Sequence, residues 1–174
     1  MKLEALEVLR NRRAIRAYKP EQITDEELNA VLEAGTYAPT GGGTQGVKIV
    51  AVQSPENVAA VDALNAKVLN NPGVHPYYGA PTIILVFETE ACFTHELDGA
   101  AVCTNMLNAA YAVGLGSCWI HRCKQMFELP EGKALLKQWG LPETLTGVAS
   151  LALGYPACEQ PVAKPRKADY VARV

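Results

Sequence analysis

Residues 97–120 read LDGAAVCTNMLNAAYAVGLGSCWI, and this stretch decides the fold. Its spacing predicts a helix over residues 96–113 that ends at Gly114 and Gly116. The helix has few polar side chains, namely Asp98, Thr104, Asn105 and Asn108. Asp98, Asn105 and Asn108 share one face of it. A helix that is apolar almost all round must be buried. One chain of 174 residues has little core to cover it alone, so we expect a dimer.

The rest of the chain predicts helices and strands that pack around this helix. The hydrophobic patterns predict strands over residues 47–52, 82–87, 117–120 and 146–153, and further helices over 3–11, 24–35, 54–70 and 130–139. Thr24 and Glu27 have the spacing of a capping box. Because the order does not alternate regularly, we expect an α+β sandwich with one small, mostly antiparallel sheet flanked by helices. Residues 1–174 are expected to form a single domain, with 156–174 as an extended tail.

Composition and charge exclude several classes of protein. Hydrophobic residues make up 49% and charged residues 20% of the chain, unlike a disordered protein. The formal charge of −2 gives no reason to expect nucleic acid or an anionic membrane as a partner. The longest strongly apolar run, residues 83–87, is far shorter than the roughly 20 residues that span a bilayer. The N-terminal residues lack the apolar core of a signal peptide, so we expect a soluble cytoplasmic protein.

The cysteines and histidines do not form a metal or disulfide pattern. The five cysteines contain no CxxC pair, and the three histidines are not spaced as ligands. We therefore expect the cysteines to be small buried hydrophobic residues, and we expect no metal site. These residues are Cys92, Cys103, Cys118, Cys123 and Cys158. Cys118 has no obvious base partner and no hydrolase motif is present, so no catalytic side chain is predicted.

Residues 12–18, RRAIRAY, are the first segment that could bind a ligand. In an extended chain, Arg12, Ala14 and Arg16 would point to the same side. Two guanidiniums beside a small residue suit a phosphate dianion, because each offers a planar fork of donors. A solvated basic cluster is the alternative interpretation.

Two glycine-containing segments could also contact a ligand. Residues 38–46 match GxGxxG formally, but they follow a helix and precede a strand, unlike a dinucleotide fingerprint. Their glycines would let backbone N–H groups approach a flat or anionic ligand, and a flexible surface loop is the alternative. Residues 114–121 join a helix end to a buried strand, where main-chain donors can serve a cofactor. A packed core turn explains that segment equally well.

These segments, taken in order, resemble the FMN-dependent nitroreductase family. Arg12 to Tyr18 is similar to its Arg-Arg-Ser-x-Arg-x-Tyr/Phe motif, and Ala38 to Val47 to Ala-Pro-Ser-x-x-Asn-x-Gln-Pro-Trp. Residues 105–110 resemble its Asn-Met-Leu-x-Ala-Ala helix, and 114–120 match Gly-Leu-Gly-Ser-Cys-Trp-Ile in full. A Leu-Gly-Tyr-Pro strand end at 153–156 and a basic tail complete the pattern, which spans nearly the whole chain.

The resemblance implies an intertwined homodimer with two FMN sites at the subunit interface. It implies that Arg12, Ala14 and Arg16 face the phosphate and ribityl end of FMN, with Arg13 beside them. It also implies that the flavin is lined by Thr40, Gly41 and Gln45 and is approached from the partner subunit by Trp119, Ile120 and His121. In the tail, Arg166 and Lys167 are implied to reach the phosphate. Ala14 stands where the family usually has Ser, Gly43 where it has Asn, and Gly46-Val47 where it has Pro-Trp. We expect each of the first two differences to weaken FMN binding by about 1 kcal/mol.

The function implied by the resemblance is hydride transfer from NAD(P)H through FMN to a small acceptor such as a nitroaromatic, quinone or enone. Two alternatives stay open at this stage. One is a relative that carries out other reduced-flavin chemistry, such as dehalogenation or flavin fragmentation. Such relatives tend to carry lid segments, whereas residues 71–79 and 122–129 are short here. The other alternative is a flavin-binding protein without steady turnover.

Overall fold

The computed structural model describes residues 4–89 and 93–174. Leu3, where the first helix was expected to begin, and Cys92 lie outside the described residues. The helices are α1 (Ala5–Asn11), α2 (Asp25–Thr36), α3 (Pro55–Val68), α4 (His95–Ala112), α5 (Cys123–Glu128) and α6 (Pro130–Gln138). The strands are β1 (Val47–Val52), β2 (Thr82–Glu88), β3 (Gly116–Ile120) and β4 (Thr146–Gly154).

The four strands form one antiparallel sheet in the order β1-β2-β4-β3. In the central strand β2, Ile84 pairs with Ala51 on one side and Leu151 on the other. The prediction of a small antiparallel sheet flanked by helices is confirmed. The predicted strand bounds differ from the observed ones by no more than one residue.

The sheet separates two hydrophobic layers. Ile84 and Val86 point toward α2 and α4, where they pack in one cluster with Met106. Leu85 and Phe87 point the other way, toward α3, α5 and α6. Successive strand residues face opposite sides of a sheet, so β2 is apolar at almost every position and is buried on both faces.

Helix α5 is the one element of this layer that the sequence analysis missed. Residues 122–129 were expected to be a short connecting stretch, but Cys123–Glu128 form a helix with Cys123, Met126 and Phe127 buried. Six residues are less than two turns, too few to show a clear helical period. Close contact with β4 holds the helix in place. A Cβ added at Gly147 would lie 2.5 Å from the carbonyl oxygen of Cys123.

Residues 12–18 contact the start of β3 and then the residues that follow β4. Ala14 bridges Ser117 in parallel, the amide of Ile15 donates to the Ser117 carbonyl at 3.0 Å, and Tyr18 bridges Pro156.

The chain after Pro156 is exposed over residues 157–174. Cys158 is therefore exposed, contrary to the expectation that the cysteines are buried. The prediction is confirmed for Cys103, Cys118 and Cys123.

The capping box of α2 supports a first testable prediction. The Thr24 hydroxyl accepts a hydrogen bond from the Glu27 amide at 3.2 Å, and Glu27 Oε2 accepts from the Thr24 amide at 2.9 Å. We expect Thr24→Ala to lower the free energy of unfolding by about 1 kcal/mol, the usual value of an N-cap, in urea denaturation. Thr36→Ala at the other end of α2 is the control. Its hydroxyl donates to the Glu33 carbonyl and caps no free amide, so an equal loss there would contradict the prediction.

Candidate functional site

Arg12 and Arg16 both lie near the buried Cys118 side chain. Burial raises the pKa of the Cys118 thiol, and the positive charges of Arg16 and Arg12 act against that rise. Both guanidiniums are therefore close enough to influence the same sulfur. Burial also lowers the pKa of Arg12, and the neighbouring charge of Arg13 lowers it further.

No carboxylate neutralises this arginine segment. Within residues 4–89 and 93–174, none of Arg12, Arg13 and Arg16 lies within ion-pair distance of an acidic side chain. The side chain of Arg12 is half-buried, so its charge is partly removed from water without a compensating partner. Such a cluster attracts an anion, and the planar forks of guanidinium suit a phosphate.

A small cavity of about 120 Å³ opens on the Arg13 side of this segment. Its lining includes Arg12, Arg13, Ser117 and Gln160. The Ser117 hydroxyl is buried and has no hydrogen-bond partner among the residues that the structure describes. Arg13 donates to the Arg12 carbonyl at 2.6 Å, which holds its guanidinium next to the chain. Arg13 therefore lines the cavity, Arg16 lies near Cys118, and Arg12 does both.

The glycine-rich loop is held by hydrogen bonds among its own residues. Residues Gly41–Gly43 form a 3₁₀ turn, and Gly42 and Gly43 have φ values of 60° and 69°. Glycine adopts this backbone region readily. The Gly43 amide donates to the Thr40 carbonyl at 2.9 Å, and the Gln45 amide donates to the Thr40 hydroxyl at 3.0 Å. These amides are engaged within the loop, so the expectation that its N–H groups approach a ligand is wrong for them.

Asp98 anchors the loop, and the sequence analysis assigned it no role. Its carboxylate is buried and accepts hydrogen bonds from the Gly41 amide at 3.0 Å and from the Thr94 hydroxyl at 3.1 Å. The Gly41 amide is therefore also unavailable to a ligand. A carboxylate on the same face as Asn105 in a mostly apolar helix was the signal that could have indicated this role. Thr40 and Gly41 are half-buried and Gln45 is exposed, so the Gln45 side chain can still reach outward.

Removing the anchor should loosen the loop. We expect Asp98→Ala to cost about 1.5–3 kcal/mol of stability, because hydrogen bonds to a charged acceptor are lost. Amide hydrogen exchange over residues 38–46 should become faster, as measured by mass spectrometry. Asp62→Ala is the matched control, since Asp62 likewise accepts from a backbone amide, that of Tyr77 at 3.1 Å. If both variants change exchange in the loop equally, Asp98 has no specific role as its anchor.

Residues 119–121 form the end of β3 and the position that follows it. Ala14 bridges Ser117 near the start of this strand, whereas Ala17 and Lys19 form backbone hydrogen bonds with Ala157 and Tyr155, beyond the end of β4. That Trp119, Ile120 and His121 approach the flavin from the partner subunit stays a prediction. Ile120 is buried, Trp119 is half-buried and His121 is exposed. The Trp119 and His121 rings meet edge to face with centroids 6.4 Å apart.

The glycine-rich loop and the arginine segment lie at opposite ends of α4. The loop contacts Asp98 in the first turn, whereas the small cavity beside Arg12 is lined by Tyr111 near the last turn. At 1.5 Å per residue, the helix places these positions about 20 Å apart. One chain therefore does not bring all the predicted site residues together.

The predicted basic residues of the tail also stay apart from the arginine segment. Arg166 and Lys167 are exposed, and the Arg166 guanidinium donates to the carbonyl of Lys164 within the tail. The start of the tail is attached more firmly, because Gln160 donates to the Asn11 carbonyl at 2.7 Å. The two tail cations are thus free to contact a ligand or another chain.

A cavity of about 960 Å³ lies elsewhere, between α3 and residues 72–81. Its walls are mostly apolar, and none of the predicted site residues lines it. Its clearest polar feature is Asp62, which lies 2.8 Å from the ring nitrogen of the exposed His75. The unpaired arginines, rather than the size of a cavity, therefore identify the candidate site.

The fold and the site together define a class: a helix-flanked antiparallel sheet whose edge carries a basic segment without a carboxylate partner among the described residues. The chain belongs to the nitroreductase family, since the model of the Nitroreductase family matches residues 9–155. A nitroreductase from Bacteroides fragilis, crystallised with bound FMN, is 31% identical over 99% of both chains with a TM-score of 0.91.

Two curated relatives are more distant in sequence. An Archaeoglobus fulgidus protein with the provisional name NADH dehydrogenase/NAD(P)H nitroreductase is 26% identical, covering 90% of this chain and 88% of its own length. An FMN reductase (NADPH) from Bacillus subtilis is 24% identical, covering 87% of this chain and 66% of its own length. The family interpretation of the sequence motifs is confirmed.

The described residues contain neither a membrane-spanning helix nor a cluster of metal ligands. Among the described helices, none combines the length and apolar character that a membrane span requires. Outside residues 1–3 and 90–92, no three side chains of His, Cys, Asp or Glu are grouped as metal ligands.

Proposed function

We propose that this chain is an FMN-dependent oxidoreductase that passes hydride from NAD(P)H to a small acceptor such as a nitroaromatic, quinone or enone. The observation that carries the proposal is the pair of guanidiniums, Arg12 and Arg16, which lack a carboxylate partner in the described structure. The bound FMN of the Bacteroides fragilis relative supports it. The name of the Bacillus subtilis relative, an NADPH-dependent FMN reductase, supports the nicotinamide donor.

The residues present fit such a cofactor. Arg12 and Arg16 would hold the phosphate, with Arg13 beside them and Ala14 leaving space between. The other residues proposed to contact FMN are Thr40, Gly41, Gln45, Trp119, Ile120, His121, Arg166 and Lys167. Gly41 contributes through contact of its Cα rather than its amide, which Asp98 engages. FMN supplies the redox chemistry when bound, and the protein supplies binding, orientation and a shaped surface.

No side chain of the site is proposed as a catalytic acid, base or nucleophile. Cys118 is the nearest candidate, but burial raises the pKa of its thiol. The reactive form of cysteine is the thiolate, so Cys118 is a poor nucleophile at neutral pH. Burial likewise raises the pKa of Tyr18, whose hydroxyl donates to the Ile15 carbonyl at 2.7 Å.

We propose that the functional unit is a homodimer. The two predicted halves of the site lie at opposite ends of α4, so a cofactor that touches both needs the arginine segment of one copy and the glycine-rich loop of the other. Several large apolar side chains are exposed on a single chain, among them Leu6, Leu9 and Leu97 on α1 and α4. The tail exposes Val162 and Tyr170 in the same way, which supports an arrangement in which it packs on the partner.

The two alternatives predict different behaviour. A flavin-binding protein without steady turnover would hold FMN but leave NAD(P)H unoxidised. Relatives with other reduced-flavin chemistry tend to carry lid segments over the flavin. Helix α5, in the stretch where a lid could lie, is instead packed in the core through Cys123, Met126 and Phe127. The structure therefore favours the reductase over the lid-bearing alternative.

Purified protein tests the proposal in two steps. A flavin absorption spectrum, with FMN rather than FAD identified by mass analysis of the released cofactor, is the expected first result. Oxidation of NADH or NADPH that accelerates when a nitroaromatic or quinone is added is the expected second result. Finding FAD would contradict the phosphate assignment, and bound FMN without any turnover would favour the binding-protein alternative.

A further inference from the structure

A buried polar network lies beneath the end of β3. The network consists of Asn65 on α3, Tyr77 in the segment between α3 and β2, and Ser150 on β4, and all three side chains are buried. Tyr77 Oη lies 2.8 Å from Ser150 Oγ and 3.4 Å from Asn65 Nδ2. Burial raises the pKa of the Tyr77 phenol, so the hydroxyl stays neutral and keeps its proton for hydrogen bonding. Polar side chains in an otherwise apolar layer are costly to bury unless they are hydrogen-bonded, and a fully bonded network holds its members in one arrangement.

The network holds two successive backbone carbonyls. Ser150 Oγ donates to the Ile120 carbonyl at 3.2 Å, and Asn65 Nδ2 donates to the His121 carbonyl at 3.1 Å. In a planar trans peptide, the N–H points opposite to the C=O. The amides of His121 and Arg122 therefore point away from the network, and their directions are fixed by it.

Arg122 shows that this backbone is held under constraint. Its φ is 80°, a left-handed conformation that is unfavourable for a residue with a side chain. The Arg122 Nε donates to Asn65 Oδ1 at 2.7 Å. Asn65 thus contacts the residues on both sides of the peptide that joins His121 to Arg122. Such strain persists only where the surrounding structure stabilises it.

We propose that Asn65, Tyr77 and Ser150 are positioning residues that orient the backbone amides of residues 121 and 122 toward the bound cofactor. This inference rests on the proposed function. The place of the segment supports it, because the arginine segment contacts β3 where Ala14 bridges Ser117, and the exposed His121 directly follows the last residue of the same strand. Donors that are already oriented stabilise developing negative charge without reorganisation, which is the condition for an effect on reduction of the cofactor.

Neutral variants test the network without adding a charge. Ser150→Ala removes the donor to the Ile120 carbonyl, and Tyr77→Phe removes the hydroxyl that joins Ser150 to Asn65. Thr82→Val is the matched control, because Thr82 is also fully buried and its hydroxyl donates to Gln22 Oε1 at 2.6 Å, in a different part of the sheet. Ser150→Thr restores a hydroxyl at the same position.

The measurements are FMN affinity, the reduction potential of bound FMN, and thermal stability. We expect Ser150→Ala and Tyr77→Phe to raise the Kd for FMN about five- to tenfold, since the net value of a hydrogen bond is about 1 kcal/mol. We expect both to shift the potential to more negative values, because charge on the reduced cofactor is less well stabilised. Ser150→Thr should restore both quantities, and Thr82→Val should lower stability only.

The outcomes separate this inference from the proposed function. If the wild-type protein binds no FMN, the proposed function is wrong and this inference falls with it. The second case is a wild-type protein that does bind FMN. If Ser150→Ala and Tyr77→Phe then lose stability, as Thr82→Val does, but keep the wild-type Kd and reduction potential, the network stabilises the core alone. In that case the positioning role is wrong and the proposed function stands.

Discussion

Arg12→Ala and Arg16→Ala should each weaken FMN binding about ten- to a hundredfold. Each substitution removes a charge-assisted hydrogen bond to the phosphate, worth roughly 1.5–3 kcal/mol, and 1.4 kcal/mol corresponds to a factor of ten in affinity. No carboxylate of the described chain pairs with either arginine, so the loss is not offset by release of an internal partner. Fluorescence titration of the apoprotein with FMN measures the change.

Arg13→Ala is the matched control for that experiment. Arg13 lies on the other side of the extended segment, where its guanidinium donates to the Arg12 carbonyl and lines the small cavity beside Ser117. We expect a smaller loss than at Arg12. The losses at Arg12 and Arg16 should grow as salt concentration falls, because partly exposed ion pairs are screened. A larger loss at Arg13 would place the phosphate in the small cavity instead, and unchanged affinity in all three variants would leave only a solvated basic cluster.

The sequence predicts the sheet well because its strands carry strong local signals. The run over residues 82–87 is apolar at nearly every position, and a strand covered by helices on both faces requires that pattern. The capping box at Thr24 predicts the start of α2 for a similarly local reason. Helix α5 lacks such a signal, because its six residues gain their conformation from contact with β4 at Gly147.

The candidate site is less predictable because its contacts are long-range. The bond between Asp98 and Gly41 joins residues 57 positions apart, and no local spacing indicates it. The motif nevertheless predicts the arginine segment, since alternation in an extended chain follows from the residues themselves. The bridge between Ala14 and Ser117 is likewise a tertiary contact that the sequence does not encode locally.

The apolar character of α4 is satisfied only in part within one chain. Its inner face packs on the sheet and α2 through Val102, Met106 and Ala110. Its outer face carries Leu97, which is 71% exposed, and Thr104, which is also exposed. Leu97 and Thr104 are seven positions apart, so they share a face of the helix. This outer face is where the expected subunit contact would lie.

Thr104→Arg should therefore give a monomer that no longer binds FMN tightly. An unpaired charge buried in an interface costs about 3–5 kcal/mol, and a symmetric dimer would carry it twice. The site is proposed to need the glycine-rich loop of the partner, so we expect the Kd for FMN to rise at least about a hundredfold, beyond the effect of a single lost hydrogen bond. Light scattering measures the mass, and FMN titration measures the affinity.

Gln138→Arg provides the control, because Gln138 is exposed on α6 at the opposite face of the sheet. It introduces the same charge and should leave both the dimer and FMN binding unchanged. Circular dichroism measures whether the Thr104→Arg chain stays folded. We expect it to stay folded, because Thr104 is exposed on the single chain. A folded Thr104→Arg protein that remains a dimer would exclude the outer face of α4 as the subunit contact. A folded monomer that binds FMN as tightly as the wild-type would contradict a site shared between two chains, since each chain would then hold the cofactor with its own residues.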